Sequence, residues 1–217
     1  MIFSKKDLHI LFFSYFCPAE LIEFALMSRF NNKLLVFNHI ISKLVEWKNE
    51  TKSQTEKEVL KDLSFVPLMK CLYSTCLLSV NMQDKQSLFD LFDNFRAYPK
   101  GPVEEDCYYN MNKLPDYQIG TDVSGKDTLV PRQESSLTYS SDSDTEEYFK
   151  MADKAILDLK KATKFPEFSD RNNLVELTHM TLWKDAYEDS TGYKLLRTQN
   201  NIDNIRKEAR SFRNLIF

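Results

Sequence analysis

Glycine is nearly missing from this chain. Four occur in 217 residues (Gly101, Gly120, Gly125 and Gly192), and the first hundred residues have none. Glycine supplies the positive φ that tight turns and phosphate-cradling loops require. The N-terminal hundred residues therefore hold neither a P-loop nor a dinucleotide fingerprint. Two-residue hairpin turns also favour glycine, so hairpin-rich β structure is not expected there.

Other scarcities exclude further classes. Four cysteines (Cys17, Cys71, Cys76 and Cys107) are too few for a disulfide framework at this length. Mostly in apolar surroundings, they read as small buried hydrophobes of a reduced, nuclear or cytoplasmic setting. Lys5 and Lys6 before "LHILFFSYFC" loosely imitate a signal peptide, but His9 and Ser14 interrupt the run and no small-x-small site follows. No stretch approaches the roughly 20 apolar residues of a membrane span. A basic excess is missing too: the net charge is −3, which makes nucleic acid an unlikely default partner.

Apolar and helical patterning is abundant. The 42% apolar content, with 16 Phe, can fill a core. In "KLLVFNHIISKLVEW", Leu34, Phe37, Ile41 and Leu44 share a helical stripe. "SLFDLFDNF" places Leu88, Leu91, Phe92 and Phe95 on one face and Asp90 and Asp93 on the other, read as a solvated acidic face. Pro18 and Pro67 each open an apolar run, and Ser53 with Glu56 has capping-box spacing. The spacing predicts helices near 5–16, 18–30, 32–49, 54–64, 67–82 and 85–97. The fold class expected is all-α: an N-terminal array or bundle of short helices over 1–98.

Residues 99–143 change character and carry three of the four glycines with many acids. They read as a long irregular acidic connector, either a linker or an extended segment docked on another surface. Within 137–156, "LTYSSDSDTEEYFKMADKAI", acids at a helix start suit the helix dipole. Ser141 with Asp144 at +3, and Ser143 with Glu146 at +3, also match an acid-directed kinase pattern, so both are candidate phosphorylation sites.

The C-terminal segment, 144–217, reads as helices near 145–163, 171–189 and 193–217. In the last one, Ile202, Ile205, Ala209, Phe212 and Ile216 step by three and four, with Leu195 and Thr198 extending the seam. Two heptads do not establish a coiled coil. The seam docks either on its own protein or on a partner chain, including a second copy. Arg206, Lys207, Arg210 and Arg213 form a basic outer face, which is a solvated surface, a partner for the acidic segment, or a contact for nucleic acid.

Catalytic patterns are weak. Glu176 and His179 match one E-x-x-H of a di-iron bundle, but that site needs two such motifs and further glutamates. Cys71 and Cys76 lack zinc spacing. Cys107 has no local base, and no G-x-S-x-G, H-E-x-x-H or EF-hand loop occurs. The sequence thus predicts a non-enzymatic helical interaction protein without cofactor or metal. It would be a subunit or adaptor of a larger intracellular assembly, eukaryotic in style. A nucleic-acid-binding factor using the last helix and a helical enzyme with an unrecognised site are the alternatives.

Overall fold

A computed structural model of the chain describes residues 18–52, 54–81, 83, 86–122, 125, 127–133, 143–188, 194–196 and 202–217. Among them the chain is mostly helical, with two small antiparallel two-stranded sheets. The elements are α1 (Pro18–Lys52), α2 (Glu56–Asp62), α3 (Phe65–Ser79), β1 (Phe95–Tyr98), β2 (Gly101–Glu104), α4 (Glu105–Tyr109), β3 (Tyr117–Thr121), β4 (Asp127–Pro131), α5 (Ser143–Lys161), α6 (Arg171–Thr178), α7 (Thr181–Glu188) and α8 (Ile202–Ile216). No helix among the described residues is long and apolar enough to cross a membrane. The helix expected near 5–16, and Cys17, lie outside the described residues.

α3 is the centre. Every residue from Pro67 to Leu78 is buried, as expected of a helix that is apolar all round. It packs against α5, α6, α8 and β2. α1 lies over α5 and α2, and it runs for 35 residues where two shorter helices were expected. Nothing between Phe30 and Lys33 breaks it: Asn31 and Asn32 cost a helix only a few tenths of a kcal/mol each, roughly. At about 1.5 Å per residue it spans about 52 Å. α2 starts with a capping box at Thr55 and Glu58; Ser53, expected to cap with Glu56, lies outside the described residues. The Thr55 N–H donates to Glu58 Oε2 at 2.7 Å.

Three further expectations are corrected. The helix predicted near 85–97 is a 3-10 turn at Leu88–Asp90 followed by β1. Leu88, Phe89, Leu91, Phe92 and Phe95 are all buried, and so burial on more than one side, not a helix face, explains their density. Residues 99–143 are not irregular throughout. β1 and β2 form a hairpin in register Tyr98↔Gly101, and β3 pairs β4 with Ile119 opposite Leu129. Gly101 adopts φ +91, and a Cβ there would stand 2.9 Å from Lys70 Nζ and 3.0 Å from Thr178 Oγ1. Only glycine fits both the turn and the contact. Lys194 to Leu196 extend this hairpin: the Ala97 N–H donates to Lys194 O and the Leu196 N–H to Phe95 O. The helix expected over 193–217 therefore begins only at Ile202 among the described residues.

Candidate functional site

Charges buried by the fold mark its unusual chemistry. Lys33 lies on α1 one turn before Phe37, on the stripe that faces the core. Its ammonium donates to Asp93 Oδ1 at 2.8 Å, Glu104 Oε1 at 2.8 Å and Asp106 Oδ2 at 2.5 Å. Arg29, one turn earlier, reaches Asp93 Oδ2 at 2.7 Å. Burial pulls the Lys33 pKa down, but the Glu104 charge and the three carboxylate bonds outweigh it and hold the amine charged. Burial pushes the Glu104 carboxyl upward and Lys33 opposes that. Glu104 Oε2 also accepts from the Cys107 N–H at 2.8 Å, capping α4.

Asp93, Glu104 and Asp106 hold oxygens within 4.8 Å of one another, a spacing that suits a hard cation. Lys33 Nζ bonds all three and is the cation of this cluster. The acidic face assigned to solvent is thus half wrong. Asp90 is exposed, but Asp93 is partly buried and ion-paired. Within the acidic segment, Glu104 and Asp106 meet Lys33, and Glu105 meets Arg96.

A second lysine, Lys70, sits inside α3 and donates to the Pro102 carbonyl at 2.7 Å. Among the described residues it has no carboxylate partner, and burial lowers its pKa to about 7. Beside it, His179 stacks on Trp183 with centroids 3.7 Å apart, and Trp183 stacks on Tyr187 at 4.7 Å. The Trp183 indole N–H donates to Tyr98 O, tying α7 to β1. Burial, then the charge of Lys70, lowers the His179 pKa. His179 serves this ring stack, and Glu176 is exposed at the end of α6. No second E-x-x-H stands beside them among the described residues.

A buried carboxylate completes the set. Glu208 on α8 accepts from the Leu182 N–H at 3.2 and 3.3 Å and from the Tyr73 hydroxyl at 3.2 Å. It satisfies the open N–H groups at the start of α7 from another helix, while burial raises its pKa. Cys71, Cys76 and Cys107 are buried free thiols. Burial pushes Cys71 up to about 12 and the other two well above the usual thiol range. Such thiols are poor nucleophiles. Cys107 is held at the Glu104 cap.

The seam of α8 faces inward. Ile205, Ala209, Phe212 and Ile216 are buried against the chain's own core, while Ile202 and Leu195 are more than a third exposed. Four of the six residues offered as a partner interface thus face the chain's own core and not an open surface: α8 packs on α3 and α7. The basic face also divides. Arg206 pairs with Asp203 at 3.9 Å, and Arg213 Nη2 donates to Leu78 O and Val80 O, both at 2.8 Å, covering the carbonyl end of α3. Lys207 and Arg210 remain on the exposed side. Ser141 lies outside the described residues, and Ser143 is the first residue of α5, its side chain outside them as well.

Sequence reasoning missed Lys33, Lys70 and Glu208. The signal for the first two was present: a lysine on an apolar stripe, and a lysine inside "FVPLMKCLYSTCLL". Glu208 lies 26 residues from the helix it caps, and no local pattern announces that. No family model matches this chain, and neither a curated protein nor a solved structure matches it.

Proposed function

We propose that this chain is a non-enzymatic helical interaction protein, a subunit or adaptor of a larger nuclear or cytoplasmic assembly. The observation that supports the reading is at the start of α1. Leu26 and Met27 are 62% and 59% exposed on a helix whose continuation, from Leu34 onward, is core. Large exposed apolar side chains on a helix suit coverage by an apolar helical face of another protein. Three buried free thiols suit a reducing compartment. The inward placement of the α8 seam moves the expected contact from the last helix to the first. Division of the basic face among Asp203, the α3 carbonyls and solvent counts against the nucleic-acid reading.

The test is affinity capture of the tagged full chain with mass spectrometry, beside the Leu26→Asp plus Met27→Asp variant. A reproducible partner set retained by the wild type and lost by the variant, with matching circular dichroism, is the expected result. Equal capture by both removes the first helix as the contact. Turnover of a metabolite by the purified chain alone removes the non-enzymatic reading.

A further inference from the structure

A cleft of about 470 Å³ opens between the C-terminal end of α3, α5 and α8. That volume lies in the range of small-molecule sites, roughly 300–1,000 Å³. Its apolar wall consists of Leu78, Val80, Met151 and Ala155, and its charged wall of Lys154, Arg210, Arg213 and Asp158. Three cations converge there in a chain whose net charge is −3. The one acid of the lining, Asp158, pairs with solvent-side Lys161 at 3.4 Å, and its charge also acts on Arg213. The end of a helix normally presents carbonyl oxygens that repel an anion. Here Arg213 covers two of them, Leu78 O and Val80 O, and those bonds fix its guanidinium at the cleft. Lys154 has no carboxylate partner among the described residues.

We infer that this cleft binds a small phosphate monoester, its phosphate held by Lys154, Arg210 and Arg213 and its apolar body lying on Leu78, Val80 and Met151. Arginine forks and lysine ammonium groups are the side chains that recognise phosphate by charge-assisted bonds. An apolar wall beside them selects an ester over the free ion. The site needs neither the exposed start of α1 nor a partner chain.

The experiment is isothermal titration of the full chain at low salt with phenyl phosphate, and with inorganic phosphate for comparison. Saturable binding is expected, tighter for phenyl phosphate. Lys154→Ala with Arg210→Ala weakens it about tenfold or more, since each loses a charge-assisted bond. Lys57→Ala with Lys61→Ala on α2 leaves it unchanged. Both pairs are exposed, so circular dichroism should match the wild type throughout. Absence of binding at millimolar phenyl phosphate overturns the inference. Equal affinity in the Lys154/Arg210 double variant overturns it too, and so does equal affinity for the two ligands.

Discussion

Lys33 and Lys70 are both nearly sealed from solvent, at 3% and 1% exposure, yet their surroundings differ entirely. Lys33 is met by three carboxylates brought from the turn before β1, the end of β2 and α4. Lys70 is met by one carbonyl of β2. The same β1–β2 hairpin serves both, since Glu104 and Pro102 are two residues apart on one strand. Facing α1 it presents anions, and facing α3 it presents backbone. Burial alone thus does not determine the state of an amine: the first stays charged, and the second is poised near neutrality. The difference also separates two ways of docking a hairpin on helices, one by charge compensation and one by a single hydrogen bond within an apolar wall.

The strongest way to break this comparison is Lys33→Met. It leaves Glu104, Asp93 and Asp106 close together without their shared cation. Removing one partner from a buried ion pair costs about 3–5 kcal/mol, so urea unfolding at pH 7 should show a loss of that size. The deficit has a sign in pH. Without Lys33 the crowded carboxyls bind protons more tightly in the folded than in the unfolded chain, so the deficit narrows as pH falls toward 4.5. In the wild type, the raised Lys33 pKa means that its contribution is complete below the unfolded value of 10.5 and is lost only above it. A loss below about 1 kcal/mol at pH 7 would mean that the carboxylates are solvated and the cluster is not a lock.

Lys70→Met sharpens the contrast with an effect that changes sign with pH. The folded pKa, about 7, lies below the unfolded value of 10.5. Between these values the unfolded chain binds the extra proton, so wild-type stability rises with pH from about 7 to about 10.5 and is lower below pH 7. The slope approaches about 1.4 kcal/mol per pH unit in mid-window. Methionine removes the titration, so the variant should be flat there. Near pH 11, where the amine is neutral in both states, it should be about 1 kcal/mol less stable than wild type, because Pro102 O loses its donor. Near pH 6 the order should reverse. Parallel pH profiles for the two proteins would show that Lys70 titrates normally and reaches water.

The helical skeleton was readable because its signals are local. The α3 and α5 patterns, the proline before each apolar run and the acids at the start of α5 all point the same way. α1 runs through the break expected between 30 and 32, because the local cost of Asn31 and Asn32 is small beside the core contacts that follow. The segment around Leu88–Phe95 was misread because a residue buried on several sides has no distinguishing period. The hairpins of 95–131 owe their pairing to partners outside the segment: Lys33, Lys70, Asn38 and Lys194. A charged residue in an apolar stripe signals that a partner exists, but not which one. That is why the lysines could have been flagged while Glu104, Pro102 and Glu208 could not.

An exposed ion pair supplies the lower bound for the comparison. Lys160 on α5 donates to Glu50 on α1 at 3.0 Å, with side-chain exposures of 27% and 65%. The pair crosses the same α1–α5 contact that the core residues of both helices form, so its geometry is as fixed as a surface pair allows. Water and salt screen it, and both long side chains give up rotamer freedom to hold it, so its net worth is at most about 0.5 kcal/mol. Lys160→Met should therefore leave the urea midpoint at pH 7 within error of wild type, whereas Lys33→Met, the same change of side chain, shifts it strongly. If Lys160→Met costs more than about 2 kcal/mol, the charge itself governs the α1–α5 contact, and the contrast between buried and exposed lysines loses its basis.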